Sequence, residues 1–179
     1  MPGEVILESR RASKNFGDLT AVDSVDYQVR KGESAGIIGP NGAGKTTFFN
    51  ILTGLFPPSE GTIHFQGQDI TNMDADLRVG LGMVRTFQLV SVFDTLPVLD
   101  NLILAAVRTG REYKNKARFV LGSSHPSHLE KECRNTLEMV GIAEKSRLLT
   151  ADLSYGDKRK LEIAMALALK PEVLLLDEP

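Results

Sequence analysis

The sequence has no tryptophan, one cysteine and three histidines among its 179 residues. One cysteine cannot form a disulfide within the chain, and with three scattered histidines it does not supply a cysteine-rich zinc site. Residues 1–10 do not show the basic and then apolar pattern of a secretory signal. No apolar run approaches the roughly 20 residues of a membrane-spanning helix.

An excess of basic charge is also missing. Lysine and arginine number 21 against 23 aspartates and glutamates, which gives a formal net charge of −2. Proteins that bind nucleic acid usually carry a basic surface, so no nucleic-acid partner is expected. Apolar residues at 42% and charged residues at 25% are ordinary for a globular protein. The length suits one domain, or one domain with an inserted lobe.

The first 70 residues predict strands around one short helix. Two strands are expected within residues 4–29, with a turn at residues 15–18. Ser34–Gly39 is a short apolar run bounded by glycine and proline, which predicts a buried strand. Apolar residues over Lys45–Thr53 favour a helix that Gly54 ends, and Gly61–Phe65 alternates as a strand does.

The remainder of the chain has helical periodicity. Val98–Val107 is an apolar helical segment, and His128–Val140 has apolar residues on one helical face before Gly141. Tyr155–Leu169 repeats that spacing, with small alanines that allow close packing. The chain is therefore expected to be α/β at both ends with a mostly helical lobe between them, and Cys133 to be small core filler within that lobe.

Gly39–Thr46 reads G-P-N-G-A-G-K-T and fits the phosphate-binding pattern G-x-x-x-x-G-K-[ST] at every fixed position. Glycines let successive backbone N–H groups point at one phosphate, and the following helix presents its positive dipole end to the same anion. Lys45 adds a point charge, and Thr46 a hydroxyl for Mg²⁺. The alternative, a chance glycine turn before a helix, is disfavoured by the expected strand and helix on either side.

The last residues, Val173–Glu178, are four apolar residues followed by two carboxylates. Strands of a parallel α/β sheet direct their carboxyl ends towards the ligand crevice. Asp177 is therefore expected near the Mg²⁺ of a bound nucleotide. Glu178 is expected to orient or deprotonate an attacking water.

Two further segments carry a family resemblance. Leu153–Asp157 reads L-S-Y-G-D and opens a helix 24 residues before Asp177, and Arg85–Gln88 reads R-T-F-Q. Together with the phosphate loop and the acidic strand, their order resembles a nucleotide-binding domain of the ATP-binding cassette (ABC) family, with its signature L-S-G-G-Q and its Q-loop. The segment Val84–Gln88, Tyr155 and the run Leu161–Ala164 look closest to the ATP-binding subunits of branched-chain amino acid importers. Importers of urea or other polar solutes could share these features.

The resemblance implies ATP and Mg²⁺ as ligands, at two composite sites of a head-to-tail dimer. The implied nucleotide-binding residues are Phe16, Gly39, Asn41, Gly42, Ala43, Gly44, Lys45, Thr46, Thr47, Ser154 and Gly156. The implied metal ligands are Thr46, Gln88 and Asp177. The implied catalytic residues are Lys45, Gln88 and Glu178, with Glu178 as the general base. Ser154 and Gly156 would hold the γ-phosphate of the opposite subunit's ATP.

Three features qualify this assignment. Phe16 matches the family's adenine-stacking position, but a buried core phenylalanine is an equal alternative. Tyr155 and Asp157 stand where the family usually has Gly and Gln, and a carboxylate is unfavourable beside a phosphate. The family's D-loop and switch histidine lie beyond the acidic strand, whereas His64, His125 and His128 all precede Asp177.

The resemblance implies an α/β P-loop NTPase core with an N-terminal antiparallel β subdomain and an inserted α-helical lobe. Residues 1–88 and 156–179 would form the core, and residues 89–155 the lobe with its Q-loop and signature linkers. The whole chain would be one cassette, incomplete at its C-terminus, within a domain of roughly 250 residues. An exposed sheet edge at residues 173–179 should follow.

The leading functional hypothesis is an ATPase at the cytoplasmic face of the membrane that energises an importer, with branched-chain amino acids as the expected solute. Its implied partners are integral-membrane permease subunits and a second ATPase subunit, identical or paralogous. One alternative is a soluble ABC ATPase that acts on nucleic acid or the ribosome. Another is nucleotide binding without turnover by this chain alone. A P-loop kinase does not explain the signature.

Overall fold

The computed structural model describes residues 3–86, 92–109 and 127–176. The chain forms two compact units, Met1–Met83 and Val84–Pro179, called the N-terminal and C-terminal units below.

The N-terminal unit is built on a four-stranded antiparallel sheet with the strand order β2-β1-β3-β4. Its strands are β1 (Val5–Phe16), β2 (Leu19–Arg30), β3 (Glu60–Phe65) and β4 (Gln68–Asp69). A tight turn at Gly17, whose φ is 59°, joins β1 to β2, as the sequence predicted. The side chains of Leu7, Ile63 and Phe65 are buried on this sheet, so β1 and β3 supply much of the core of the unit.

Helix α1 occupies Lys45–Thr53, as the sequence predicted, and α2 occupies Ala75–Gly80. A glycine in the left-handed region flanks α1 at each end: φ is 79° at Gly44 and 76° at Gly54. The N–H of Gly54 donates to carbonyls of the last turn, which closes the helix in the way usual for a C-terminal glycine. Phe48, Ile51 and Leu52 form the buried side of α1.

Arg78 of α2 is 1% exposed and joins the end of α1 to the loop after β4. Its guanidinium donates to the carbonyls of Ile51 and Leu52, at 2.9 and 2.7 Å, in the last turn of α1. Three more carbonyls, of Ile70, Thr71 and Met73, accept hydrogen bonds from the same side chain. Burial lowers the pKa of Arg78 to about 10. The cation also lies at the negative end of the α1 dipole, where positive charge is favourable.

We expect Arg78→Met to lower the free energy of unfolding by about 2–3 kcal/mol, because it leaves several buried carbonyls without a donor. Chemical denaturation of the variant measures this loss. Arg10→Met is the matched control, since the Arg10 side chain is 62% exposed and pairs with Glu8 at the surface. A midpoint for Arg78→Met equal to that of Arg10→Met would show that the buried arginine does not stabilise the unit.

The C-terminal unit contains the helices α3 (Val98–Thr109), α4 (Ser127–Met139) and α5 (Tyr155–Ala168). Their buried apolar side chains form one cluster, which includes Leu102, Ile103, Leu137 and Leu161. The buried Asn101 supports it by donating to the hydroxyl of Thr150 at 3.0 Å and accepting from the N–H of Phe93 at 2.7 Å.

The three predicted helices of this unit are confirmed, within one or two residues at their ends. Leu129, Cys133 and Leu137 form the buried face of α4, as their spacing predicted. Cys133 is 1% exposed, and burial raises the pKa of its thiol to about 11. The thiol is therefore core filler, since almost none of it is thiolate at neutral pH.

The strand predicted at Ser34–Gly39 is wrong. Residues 33–40 have no regular secondary structure, and Ile38 is 95% exposed. A strand with two apolar faces needs a neighbour to pair with and a layer on each side. The four strands of the N-terminal unit pair with one another and none pairs with this segment, so Ile38 is left uncovered and Ile37 is only partly buried.

Strand β5 (Met83–Arg85) and strand β6 (Val173–Leu175) form a separate two-stranded sheet. The N–H of Thr86 donates to the carbonyl of Leu175 at 3.0 Å, next to this pairing. Within residues 3–86, 92–109 and 127–176, β6 pairs with β5 alone. No helix within those ranges is both long enough and apolar enough to span a bilayer.

Candidate functional site

The phosphate loop joins the irregular segment 33–40 to α1 and is exposed over residues 39–43. Gly44 is the N-cap residue and supplies no side-chain hydrogen bond to the helix. The first helical hydrogen bond runs from the N–H of Phe48 to the carbonyl of Gly44 at 2.8 Å. The N–H groups that precede Phe48 at the start of α1 are free of helical hydrogen bonds and can donate to an anion. The helix dipole also favours negative charge at this end.

Two glycines of the loop hold conformations that a side chain disfavours. Gly42 has a φ of 81° and Gly44 a φ of 79°. A Cβ atom at Gly44 would overlap the carbonyl oxygen of Ala21 in β2. The backbone of the loop therefore packs against β2 at a place where only glycine fits.

Lys45 folds back over the loop that precedes it. Its Nζ donates to the carbonyls of Gly39 and Pro40, at 2.7 and 2.9 Å. The N–H of Ala43 donates to the same Pro40 carbonyl at 3.2 Å, which closes the turn. The loop thus brings a cation and the amino end of α1 to one place, an arrangement that fits the oxygens of a nucleotide's phosphates.

A cleft of about 510 Å³ lies beside the loop. Residues 42–45 form one side of it, and residues of β2, among them Ala21 and Tyr27, form another. Thr46 is exposed in the first turn of α1 and Thr47 is partly buried. Of the predicted phosphate-binding residues, Gly39, Asn41, Gly42, Ala43, Gly44, Lys45, Thr46 and Thr47 thus lie together in one described segment.

Phe16 ends β1 and is 49% exposed, so the alternative of a buried core phenylalanine does not describe it. Its ring meets that of Phe56 edge to face, with 5.6 Å between centroids. The Lys14 ammonium lies 5.5 Å from the Phe16 centroid. An exposed face on a supported ring is what base stacking needs, and stacking on adenine stays a prediction.

The signature segment begins α5. Ser154 is the N-cap residue, and its Oγ accepts from the N–H of Asp157 at 3.2 Å. Ser154 and Gly156 are both exposed at this helix start, and a Cβ at Gly156 would meet no atom closer than Ser154 Oγ, at 4.0 Å. The end of the helix is therefore open to a ligand.

Gln88, Asp177 and Glu178, three of the predicted site residues, lie outside the described residues. Thr46 is the one predicted Mg²⁺ ligand within them. No cluster of three or more histidine, cysteine or acidic side chains suited to a metal occurs in the described ranges. A hydroxyl beside a phosphate site suits Mg²⁺, which commonly takes most of its ligands from phosphates and water.

Sequence reasoning missed Lys145, whose Nζ lies 2.6 Å from Asp157 Oδ2. The two residues are 12 apart in sequence, and no local pattern links them. The one available signal was Asp157 itself, a carboxylate at an expected phosphate site, which calls for a counter-charge.

The sequence pattern of the ABC transporter family matches residues 22–179. The chain belongs to this family, which confirms the resemblance of its motifs. The high-affinity branched-chain amino acid transport ATP-binding protein LivG of Salmonella typhimurium is 37% identical over 167 residues, 92% of this chain and 65% of that protein. BraF of Pseudomonas aeruginosa, of the same description, is 36% identical over 97% of this chain and 69% of that protein. The sulfate/thiosulfate import ATP-binding protein CysA of Vibrio cholerae is 36% identical over 93% of this chain and 41% of that protein.

The chain thus spans about two thirds of the length of the branched-chain relatives, or 65% in the case of LivG. Among solved structures, the ADP conformation of MJ1267, an ATP-binding cassette of an ABC transporter, superposes with a TM-score of 0.80 at 30% identity, over 95% of this chain and 67% of that one. The dimeric cassette MJ0796 superposes with a TM-score of 0.78 at 25% identity, over 97% and 74%. These matches confirm the predicted α/β P-loop fold of an ABC ATPase.

Proposed function

We propose that the protein binds ATP with Mg²⁺ and hydrolyses it to drive a membrane importer of branched-chain amino acids. The observation that carries the nucleotide-binding part is the phosphate loop, where Lys45, two left-handed glycines and the open start of α1 converge. The importer part is supported by the similarity to LivG and BraF, which are branched-chain amino acid transport ATP-binding proteins.

In this proposal the loop amides and Lys45 bind the β- and γ-phosphates, and Phe16 stacks on the base. Thr46, Gln88 and Asp177 hold Mg²⁺, which offsets the charge of the phosphate oxygens when it is bound. Glu178 accepts the proton of the attacking water.

The proposed active form is a head-to-tail dimer, in which Ser154 and Gly156 meet the γ-phosphate bound by the other subunit. Support comes from the open amino end of α5 and from the dimeric state of the cassette MJ0796. The second subunit is either a copy of this chain or a paralogue. Closure on ATP and opening after hydrolysis provide the movement that a transporter uses.

We further propose that the protein acts at the cytoplasmic face of the membrane, bound to integral-membrane permease subunits. Residues 89–155, as a helical lobe, and the Q-loop at Gln88 would pass the nucleotide state to the permease. This division of the chain places the remaining residues, 1–88 and 156–179, in the nucleotide-binding core.

The test is reconstitution of the whole encoded protein with its co-purifying permease in lipid vesicles. ATP-dependent uptake of labelled leucine, isoleucine or valine supports the proposal. Uptake of sulfate, the solute named for CysA, or of urea would replace the proposed solute and keep the transport function. ATP hydrolysis stimulated by DNA or RNA, with no permease bound, would overturn transport in favour of a soluble ATPase.

A further inference from the structure

Asp157 places a carboxylate in the first turn of α5, where the family signature usually has glutamine. One of its oxygens, Oδ2, accepts from the Ser154 hydroxyl and from Lys145 Nζ, both at 2.6 Å. The Asp157 side chain is 13% exposed and that of Lys145 is 32% exposed. Ser154 and Lys145 thus donate to the same oxygen of Asp157, which is partly shielded from solvent.

Lys145 is held in place by its backbone. It ends a 3-10 turn over Ala143–Lys145, its N–H donates to Ile142 at 3.0 Å, and its carbonyl accepts from the N–H of Leu148 at 2.9 Å. Ile142 is fully buried in the cluster of the C-terminal unit. The ammonium therefore reaches Asp157 from a fixed backbone position.

The hydrogen bonds from Lys145 and then Ser154 hold the pKa of Asp157 below its ordinary value, and that of Lys145 is raised by the same contact. Of the other nearby cations, Lys160 is 4.0 Å from Oδ1, and Lys158 pairs instead with Asp94 at 2.6 Å. Lys145 is therefore the close counter-ion of Asp157 in the described structure.

This pairing bears on how the signature could receive a phosphate. The Ser154 hydroxyl has one proton, and in this structure it points at Asp157. To donate to a phosphate, Ser154 must give up that bond, which would leave an anion close to another anion. With Lys145 in contact, the carboxylate keeps a charged donor when Ser154 turns away, and the charge that faces the phosphate is offset.

We propose that Lys145 is a positioning residue of the signature, which makes a motif containing aspartate able to hold the γ-phosphate of the opposite subunit's ATP. This inference rests on the proposed function, because it needs the head-to-tail dimer. Lys145 does not touch the nucleotide; it acts through Asp157 and Ser154.

The test is a double-mutant cycle on ATP-dependent self-association of the whole encoded protein, with Glu178→Gln present throughout to prevent turnover. We expect Lys145→Ala to weaken the dimer about tenfold, or roughly 1.4 kcal/mol. Combined with Asp157→Gln, the same substitution should change the association by less than about twofold, because no carboxylate is left to compensate. Lys145→Arg should restore most of the affinity.

Lys158→Ala is the control, since it removes the same charge from a lysine that pairs with Asp94. Its effect should be the same with Asp157 and with Asp157→Gln. The thermal midpoint without nucleotide checks folding, and Lys145→Met, which keeps the apolar stem, replaces Lys145→Ala if the alanine variant unfolds.

The possible outcomes distinguish a failure of the role given to Lys145 from a failure of the proposed ATP-dependent dimer. Absence of ATP-dependent association in the Glu178→Gln parent overturns the proposed dimer and this inference with it. Association that Lys145→Ala weakens equally with Asp157 and with Asp157→Gln overturns the inference alone. The same holds if Lys145→Ala leaves the association unchanged.

Discussion

Gly44→Ala is expected to lower the affinity for ATP by at least about 100-fold, which corresponds to roughly 2.7 kcal/mol. The left-handed backbone at φ 79° would cost alanine about 1–2 kcal/mol. The added methyl group would also overlap the carbonyl oxygen of Ala21, so the loop must move off β2. Both changes would displace the start of α1 and, with it, the ammonium group of Lys45. Titration with a fluorescent ATP analogue measures the loss.

Gly67→Ala is the matched control for this loss. Gly67 has nearly the same φ, 77°, but lies in the turn between β3 and β4, and no neighbouring atom of the described residues lies within 4 Å of an added Cβ. Gly67→Ala should lower the stability of the fold through backbone strain alone and leave the affinity for ATP unchanged. Equal affinities for Gly44→Ala and the unmodified protein would show that the close contact with β2 does not shape the phosphate site.

Glu178→Gln is expected to lower the rate of ATP hydrolysis by about 100-fold or more, the usual contribution of a positioned general base. Glutamine keeps the size of the side chain but cannot accept the proton of the attacking water. ATP binding should persist, because the phosphate loop is untouched, and the ATP-bound dimer should accumulate.

Phosphate release under steady-state conditions measures the rate, and sedimentation with ATP measures the dimer. Glu172→Gln is the control, since Glu172 is an exposed acid just before β6 and has no proposed role. A Glu178→Gln variant that hydrolyses ATP at the normal rate would remove Glu178 from its proposed role as the base.

The positions of α1, α3, α4 and α5 could be read from the sequence because their signals are local. The bounds of α1 at Lys45 and Thr53 follow from glycines on either side, which take left-handed conformations at no steric cost. The buried face of α4 follows from apolar spacing alone, since every third or fourth residue returns to the same side. The phosphate loop was likewise found because its residues are contiguous.

Strand Ser34–Gly39 was mispredicted because a buried strand is defined by its neighbours. An apolar run indicates that a segment is suited to burial, but it does not show whether another strand lies beside it to pair with. The exposed Ile38 shows the difference. Composition gave no warning, since the run itself has the right residues and the right length.

The sequence by itself determined the family, the phosphate loop and the helices α1, α3, α4 and α5, because each depends on residues close together along the chain, whereas the short helix α2 was not predicted. The tertiary structure alone decided the placement of three charged or close-packed groups. Arg78 is buried where the carbonyls of Ile51 and Leu52, 27 and 26 residues earlier in the chain, accept its hydrogen bonds. Gly44 is constrained by a carbonyl of β2. Asp157 gains its counter-ion from Lys145. In each case the partner is distant in sequence, and only the folded backbone brings the two within contact.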